Sequence, residues 1–250
     1  MKRKLLSAAL TLLSLSSNIF AVEIPECEVR GVKPTDKIST FEFNPSLTVF
    51  DDKAGISETA MTLKYYYSFN KIFSIGTEVP VKRFESPDNS KNGIGDILVS
   101  ASALKKEEKL SFGTTWEFYL PSAKYDELGT GKWQFSPAVF AEYEIVPQVF
   151  FALGYKHYVS IAGPSSRNDI NKGRIRTMAA YISDYNWWLL FDPKYYMDYE
   201  NNSDEFIIEI ETGIMLFDEI SMYLKPGWHA GGSNKTMDWS LSFGVKLLSI

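Results

Sequence analysis

The sequence predicts an all-β chain: a closed antiparallel transmembrane β-barrel of about 12 strands, up-and-down in topology, behind a signal peptide. Three observations predict it. Apolar and polar side chains alternate with period two in segment after segment, the segments run to roughly ten to thirteen residues, and the chain opens with a short basic and apolar stretch.

That opening reads Met1-Lys2-Arg3-Lys4, then an apolar run from Leu5 to Leu15, then Ile19-Phe20-Ala21. It has the charged start, apolar centre and small-residue exit of a signal peptide over residues 1–21, cleaved near Ala21. The apolar run is shorter than the roughly 20 residues that a helical span needs. Cys27 lies close to the new terminus, yet Ile24-Pro25-Glu26 lacks the small residues that lipidation would want, so an unpaired thiol is expected. With one cysteine in the chain, no internal disulfide can staple the fold. Residues 22–37 contain Pro25 and Pro34 and do not alternate; they form an N-terminal periplasmic tail or a small plug. The tail is preferred, since termini are poorly ordered unless tied down.

The barrel is expected over residues 38–250. In residues 61–69 the odd positions Met61, Leu63, Tyr65, Tyr67 and Phe69 are apolar or aromatic, and Asn70-Lys71 then reads as a tight turn. Phe73, Ile75, Val79 and Val81 continue on one face against Ser74, Gly76, Glu78 and Lys82. Leu110, Phe112, Trp116, Phe118 and Leu120 alternate with Ser111, Gly113, Thr115, Glu117 and Tyr119, leaving one face free of charge. The same pattern recurs in residues 135–145, 187–199, 206–216 and 237–247. Twelve strands spend about 18 residues each with their connections, which fits the turn spacing better than eight strands would. Connections at 70–71, 106–108, 146–148, 184–186 and 218–219 are short; those at 86–93, 122–132, 162–173 and 230–236 are long and rich in Gly, Ser, Asn and Asp. Short periplasmic turns opposite longer outer loops have this rhythm.

Arg or Lys on the lipid side at a bilayer midplane costs about 2 to 4 kcal/mol. The charge-free face is therefore expected to meet lipid in the outer membrane of a Gram-negative bacterium. Period alone does not tell this from a soluble barrel with apolar residues inside; the export signal, the strand length and aromatics near segment ends decide it. Those aromatics are Tyr65, Tyr67, Trp116, Phe118, Tyr143, Trp187, Tyr195, Tyr199, Trp228 and Trp239. Closure leaves no sheet edge unpaired in lipid. The formal charge of −5 becomes −8 once Lys2, Arg3 and Lys4 leave with the signal, which sets nucleic-acid binding aside.

The opposite face supplies the lumen-lining candidates. The acidic ones are Glu78, Asp96, Glu117, Glu142, Glu144, Asp192, Asp198, Glu209, Glu211 and Asp238. The basic ones are Lys64, Lys82, Lys156, Arg174, Arg176, Lys194, Lys225 and Lys246. Signs alternate between neighbouring segments, with Lys156 between the glutamates at 142 and 144 and the arginines at 174 and 176, so cross-strand pairing is expected. Ion-paired walls allow either a narrow polar conduit for small solutes or a lumen that is merely filled.

Gly93-Ile94-Gly95-Asp96 opens a segment, another ends in Leu120-Pro121, and Leu128-Gly129-Thr130-Gly131-Lys132-Trp133-Gln134 leads on to Pro137. With these motifs the chain resembles the outer-membrane family associated with the meta-pathway of phenol degradation. The resemblance implies an outer-membrane barrel that moves hydrophobic or aromatic compounds. The chain departs in ending Leu247-Leu248-Ser249-Ile250, without the terminal aromatic common in assembly signals of such barrels.

Enzyme chemistry finds little support in the residues. Gly129-Thr130-Gly131-Lys132 has Asp126 where a phosphate loop needs its first glycine and Trp133 where it needs Ser or Thr, so an outer loop with positive φ is expected instead. His229 near Ser233 and Asn234 would suit a rim lipid hydrolase only with an acidic orienter, and none is evident nearby. His157 shares the parity of Tyr155 and Val159, an interfacial position. No cofactor, metal or catalytic residue is expected. The expected partners are outer-membrane lipid, the barrel-assembly machinery and a small solute. The alternative is a structural or surface-interaction barrel with a closed lumen.

Overall fold

A computed structural model describes residues 30–249. The signal peptide, the cleavage near Ala21 and Cys27 lie outside the described residues. The strands are β1 Thr40–Asp51, β2 Ile56–Ser68, β3 Phe73–Ser86, β4 Asn89–Ile94, β5 Ile97–Glu107, β6 Leu110–Leu120, β7 Trp133–Val146, β8 Val149–Ala162, β9 Asn171–Ile182, β10 Trp187–Asp198, β11 Ser203–Phe217, β12 Ile220–Gly231 and β13 Trp239–Leu248. Apart from the six-residue β4 they run from 10 to 15 residues. A tilted strand of that length spans the apolar band of a membrane.

All neighbours are antiparallel, and the ring closes where β1 pairs with both β13 and β2 and β2 pairs with β3. β4 and β5 act as one barrel strand. β3 pairs through Phe73–Glu78 with β5 and through Val81–Ser86 with β4. Across the break at Gly95-Asp96, the Gly95 N–H still donates to the Pro80 carbonyl at 2.8 Å. The ring therefore has 12 strands, as the alternation predicts. One detail differs: residues 86–93, expected as a long loop, make a tight turn between Ser86 and Asn89 and then pair as β4. This extension is polar on both faces apart from its end at Ile94, so it carries no apolar stripe, and backbone pairing alone sustains it.

The connections at 69–72, 108–109, 147–148, 183–186 and 218–219 share one end of the barrel with residues 30–38 and the C-terminal end of β13. The longer connections at 121–132, 163–170 and 232–238 stand at the other end. In the connections at 108–109 and 183–186, Glu108 and Asn186 adopt left-handed backbone, φ 44° and 68°.

The two faces of the wall differ in the sense expected of a membrane barrel. Val139 is 60% exposed and Phe112 48%, as are some forty large hydrophobics to similar degree, while Asp192 is 0% and Glu142 2% exposed. A water-soluble protein distributes these types the other way round. All ten aromatics singled out near segment ends lie on the exposed outer face.

Near the end that carries the termini, the interior is not polar. Phe150, Met178, Trp188, Leu190, Met215, Tyr223 and Leu248 form one buried cluster, against which Val32 and Ile38 pack. Trp188 lies flat on the wall because β11 offers Gly213 beneath it; a Cβ there would come within 2.2 Å of the ring. Its indole N–H donates to Glu211 at 3.0 Å.

Residues 30–38 fold into this end. Gly31 turns the chain at φ 72°, and the Asp36 carboxylate accepts the N–H groups of Gly31, Val32 and Lys33 at 2.8, 3.2 and 3.2 Å. Lys33 pairs with Glu144 at 2.6 Å, the Thr35 hydroxyl donates to Glu142 at 2.9 Å, and Lys37 donates to Ser74 and Ser102 at 3.0 and 2.5 Å. Arg30 and Lys246 add bonds to the Asp218 and Gly31 carbonyls.

Candidate functional site

Strand parity turns one side chain in two toward the barrel axis, and the charged ones meet there in pairs. Lys64 contacts Glu42 at 2.8 Å, Lys82 contacts Glu58 at 3.2 Å, and Lys172 contacts Asp198 at 3.0 Å. Arg176 grips Asp192 with two parallel bonds, at 2.6 and 2.7 Å. Lys194 reaches Glu209 at 2.6 Å, and Lys225 stands between Glu209 and Glu211 at 3.7 and 3.4 Å. Glu78 accepts the Tyr66 hydroxyl. Charges removed from water are stable only with such partners.

Lys156 departs from the expected pairing. Its partner is Glu117 on β6, at 2.5 Å, rather than a glutamate of the adjacent β7. The residue opposite it on β7 is the small Ala138, over which the ammonium extends, while Glu142 and Glu144 are engaged by Thr35 and Lys33. Two candidates lie off the interior wall. Asp238 sits in the connection before β13, where it accepts the Asp52 N–H at 2.7 Å and pairs with Lys235. Asp96 sits in the break between β4 and β5 and accepts the Thr130 N–H and hydroxyl at 2.6 and 2.9 Å and the Ala123 N–H at 3.3 Å.

The Asp96 contacts explain the motifs. Gly95, Asp96, Gly129, Thr130 and Gln134 converge on one latch: a Cβ on Gly129 would strike Asp96 at 2.4 Å, and the Gln134 amide donates to the Thr130 hydroxyl at 2.8 Å. Leu128 is buried beneath it. Gly131 has the expected positive φ, 70°, and Lys132 pairs with Asp169, whose carboxyl the ammonium holds below the usual carboxylate range. The 121–132 connection is thus pinned to the barrel wall.

Sequence reasoning put Tyr119 on the face of Glu117 but named no aromatic among the lumen-lining residues. Tyr66, Tyr119, Tyr158, Tyr196, Tyr223 and Trp188 share parity with the charges and donate to or stack on them. The Tyr119 hydroxyl donates to Glu117 at 2.9 Å, and that of Tyr223 to Glu42 at 2.7 Å. For Trp188 the signal was the loss of alternation in Trp187-Trp188-Leu189-Leu190-Phe191, which is apolar on both faces and so has partners on both.

Cavities follow the axis. An outer one of about 430 Å³ is lined by Gln134, Tyr158, Tyr196, Glu205 and Thr236 among others. A central one of about 360 Å³ is bordered by Glu117, Lys156, Arg174, Arg176 and Pro34, and a further one of about 260 Å³ by Pro34, Lys37, Glu42 and Lys246. Pro34, in the docked N-terminal segment, thus lies between the two inner spaces. Burial raises the Asp36 carboxyl despite its three backbone donors, and burial lowers the Lys37 ammonium.

At the rim His229 and Ser233 bond to different carboxylates. His229 lies within β12 and faces Glu205 at 3.2 Å, an acidic neighbour that local sequence does not reveal. The Ser233 hydroxyl donates to Asp204 at 2.6 Å instead of to the imidazole. His157 lies outside, stacked between Tyr155 and Tyr199. Among the described residues no group of three His, Cys, Asp or Glu side chains converges as a metal site.

A closed ring of strands, apolar toward its surroundings and ionic within, defines an outer-membrane β-barrel. More particularly, the chain belongs to the family described as "Putative MetA-pathway of phenol degradation", which matches residues 37–214. Among solved structures the chain is similar to the COG4313 outer membrane channel from Pseudomonas putida F1, with a TM-score of 0.71 and 11% identity over 93% of this chain and 100% of that one. It is also similar to the NanC porin, with a TM-score of 0.59 and 10% identity over 85% of this chain and 100% of the porin. At these identities the likeness is one of fold. No curated protein matches the chain by sequence.

Proposed function

We propose that the chain is an outer-membrane channel that passes small solutes along its ion-paired interior, without enzymatic chemistry, and that residues 30–38 plug its periplasmic mouth in the state described. The observation that carries this reading is the series of cavities along the axis, walled by paired charges and by tyrosines. Family membership and the channel folds of the similar structures support it. Lipid surrounds the outer face, and the barrel-assembly machinery is the route into the membrane. The plug reading rests on the Lys33, Thr35 and Lys37 contacts to the wall and on Val32 and Ile38 packing against the apolar cluster. Conductance of the purified full chain in planar bilayers tests both parts. Wild type is expected to open rarely, and a Lys33→Ala/Thr35→Ala variant to open far more often. Absence of current from both would remove the channel reading; equal opening would remove the plug.

The apolar cluster and the many interior ion pairs favour a second reading, a structural barrel with a closed lumen. The same recording separates the two.

A further inference from the structure

Arg174 differs from its neighbours. Around the centre of the interior stand five cations, Lys156, Arg174, Arg176, Lys194 and Lys225, and five carboxylates, Glu78, Glu117, Asp192, Glu209 and Glu211, of which Glu78 accepts the Tyr66 hydroxyl. Each of the other four cations has a carboxylate within 4 Å; among the described residues Arg174 has none. Its Nε is shielded from solvent and without a hydrogen-bond partner. The guanidinium carbon instead stands 5.7 Å from the Tyr158 ring centre and 6.0 Å from that of Tyr196. Arg174 borders the central cavity and the two tyrosines border the outer one, so this group occupies the neck between them.

We propose that Arg174, with Tyr158 and Tyr196, is a binding site for small organic anions bearing a flat ring, aromatic carboxylates foremost. The inference rests on the channel reading and names the solute class of that pathway. A guanidinium matches a carboxylate through two parallel N–H donors, a geometry no other neighbour of Arg174 satisfies here. Lys156 also stands over the Tyr158 ring, at 5.4 Å, and the Tyr196 hydroxyl is bonded to Arg174, so a planar ring would stack against the remaining ring surface, and the Tyr158 hydroxyl can bond to the anion. The Arg174 guanidinium, with no carboxylate within 4 Å among the described residues, attracts an anion into a low-dielectric neck, and cavities of about 430 and 360 Å³ are of the size that small molecules fill. Of the three acids lining the outer cavity, Asp198 is paired with Lys172, Asp204 accepts the Ser233 and Tyr195 hydroxyls, and Glu205 accepts the Thr236 hydroxyl and faces His229.

The test uses the folded full chain in detergent and in planar bilayers, with benzoate, acetate and phenol as probes. Benzoate binding is read by saturation-transfer NMR and calorimetry, independently of current. Wild type is expected to bind benzoate at least tenfold more tightly than acetate or phenol. Arg174→Gln is expected to lose at least tenfold in benzoate affinity, and Arg174→Lys, which keeps the charge without the fork, to fall between. Lys105→Gln, at the exposed end of β5, should match wild type. In bilayers benzoate should block wild-type current and not that of Arg174→Gln. Equal benzoate affinity in wild type and both Arg174 variants overturns the site, as does acetate binding as tightly as benzoate. Current without benzoate binding overturns the site alone. Binding without current supports the site and overturns solute passage alone.

Discussion

Asp192 is the most informative single charge to remove. It is fully buried, accepts two bonds from Arg176 at 2.6 and 2.7 Å, and has Lys194 at 3.7 Å. Asp192→Asn keeps the volume but leaves Arg176 and Lys194 with Glu209 as the nearest compensation. Losing one partner of a buried pair costs about 3 to 5 kcal/mol. The Arg176 side chain stays one-third exposed, so water recovers part of that, and a loss of about 3 kcal/mol is expected. The assay is urea unfolding of the barrel refolded into short-chain phosphatidylcholine vesicles, followed by tryptophan fluorescence and by heat-dependent mobility on gels. Removing both charges in Arg176→Met/Asp192→Leu takes away the uncompensated cation, and stability should return to within about 1 kcal/mol of wild type. An Asp192→Asn barrel within about 0.5 kcal/mol of wild type would refute the reasoning that the interior charges need one another.

Three further outcomes follow from the same geometry. Gly213→Ala should displace the Trp188 ring from the wall, costing about 1 to 3 kcal/mol in the same unfolding assay and shifting the tryptophan emission. Asp96→Ala should free the 121–132 connection, seen as faster surface proteolysis of intact cells within that loop while the heat-dependent gel shift persists. For Lys37, burial places the docked ammonium below its ordinary 10.5, so the docked segment binds fewer protons than the free one between that lowered value and 10.5. Docking should therefore tighten as pH rises through that window and level off above it; channel opening should fall correspondingly, and Lys37→Met should flatten the dependence.

The barrel was legible because lipid imposes its requirement on every strand alike. Leu110 to Leu120 shows an outer face with no charge and an inner face holding Glu117, and repetition of that pattern sets both the class and the strand number. The β4 extension was not legible, because a strand that projects past the membrane has no apolar face to display. Inward direction of the charges followed from parity, but partner choice did not. Lys156 passes over Ala138 to Glu117, a partner two strands away reached because the side chain between them is small. The quoted motif residues gave a resemblance without a mechanism; only in three dimensions do Asp96 and Thr130 meet across 34 positions of sequence. Docking of residues 30–38 depends on Lys33 meeting Glu144, a contact with no local signature at all.

Six tryptophans test the orientation of the wall directly. Trp116, Trp133, Trp187, Trp228 and Trp239 are exposed on the outer face, and Trp188 is sealed inside. Six single-tryptophan variants, with the others changed to phenylalanine, would be refolded into vesicles of brominated and unbrominated lipid. Strong bromine quenching of the five outer tryptophans, with Trp188 spared, is the expected result. Quenching of Trp188 as strong as that of its neighbour Trp187, or none of the five quenched, would contradict an apolar exterior facing lipid around an ionic interior.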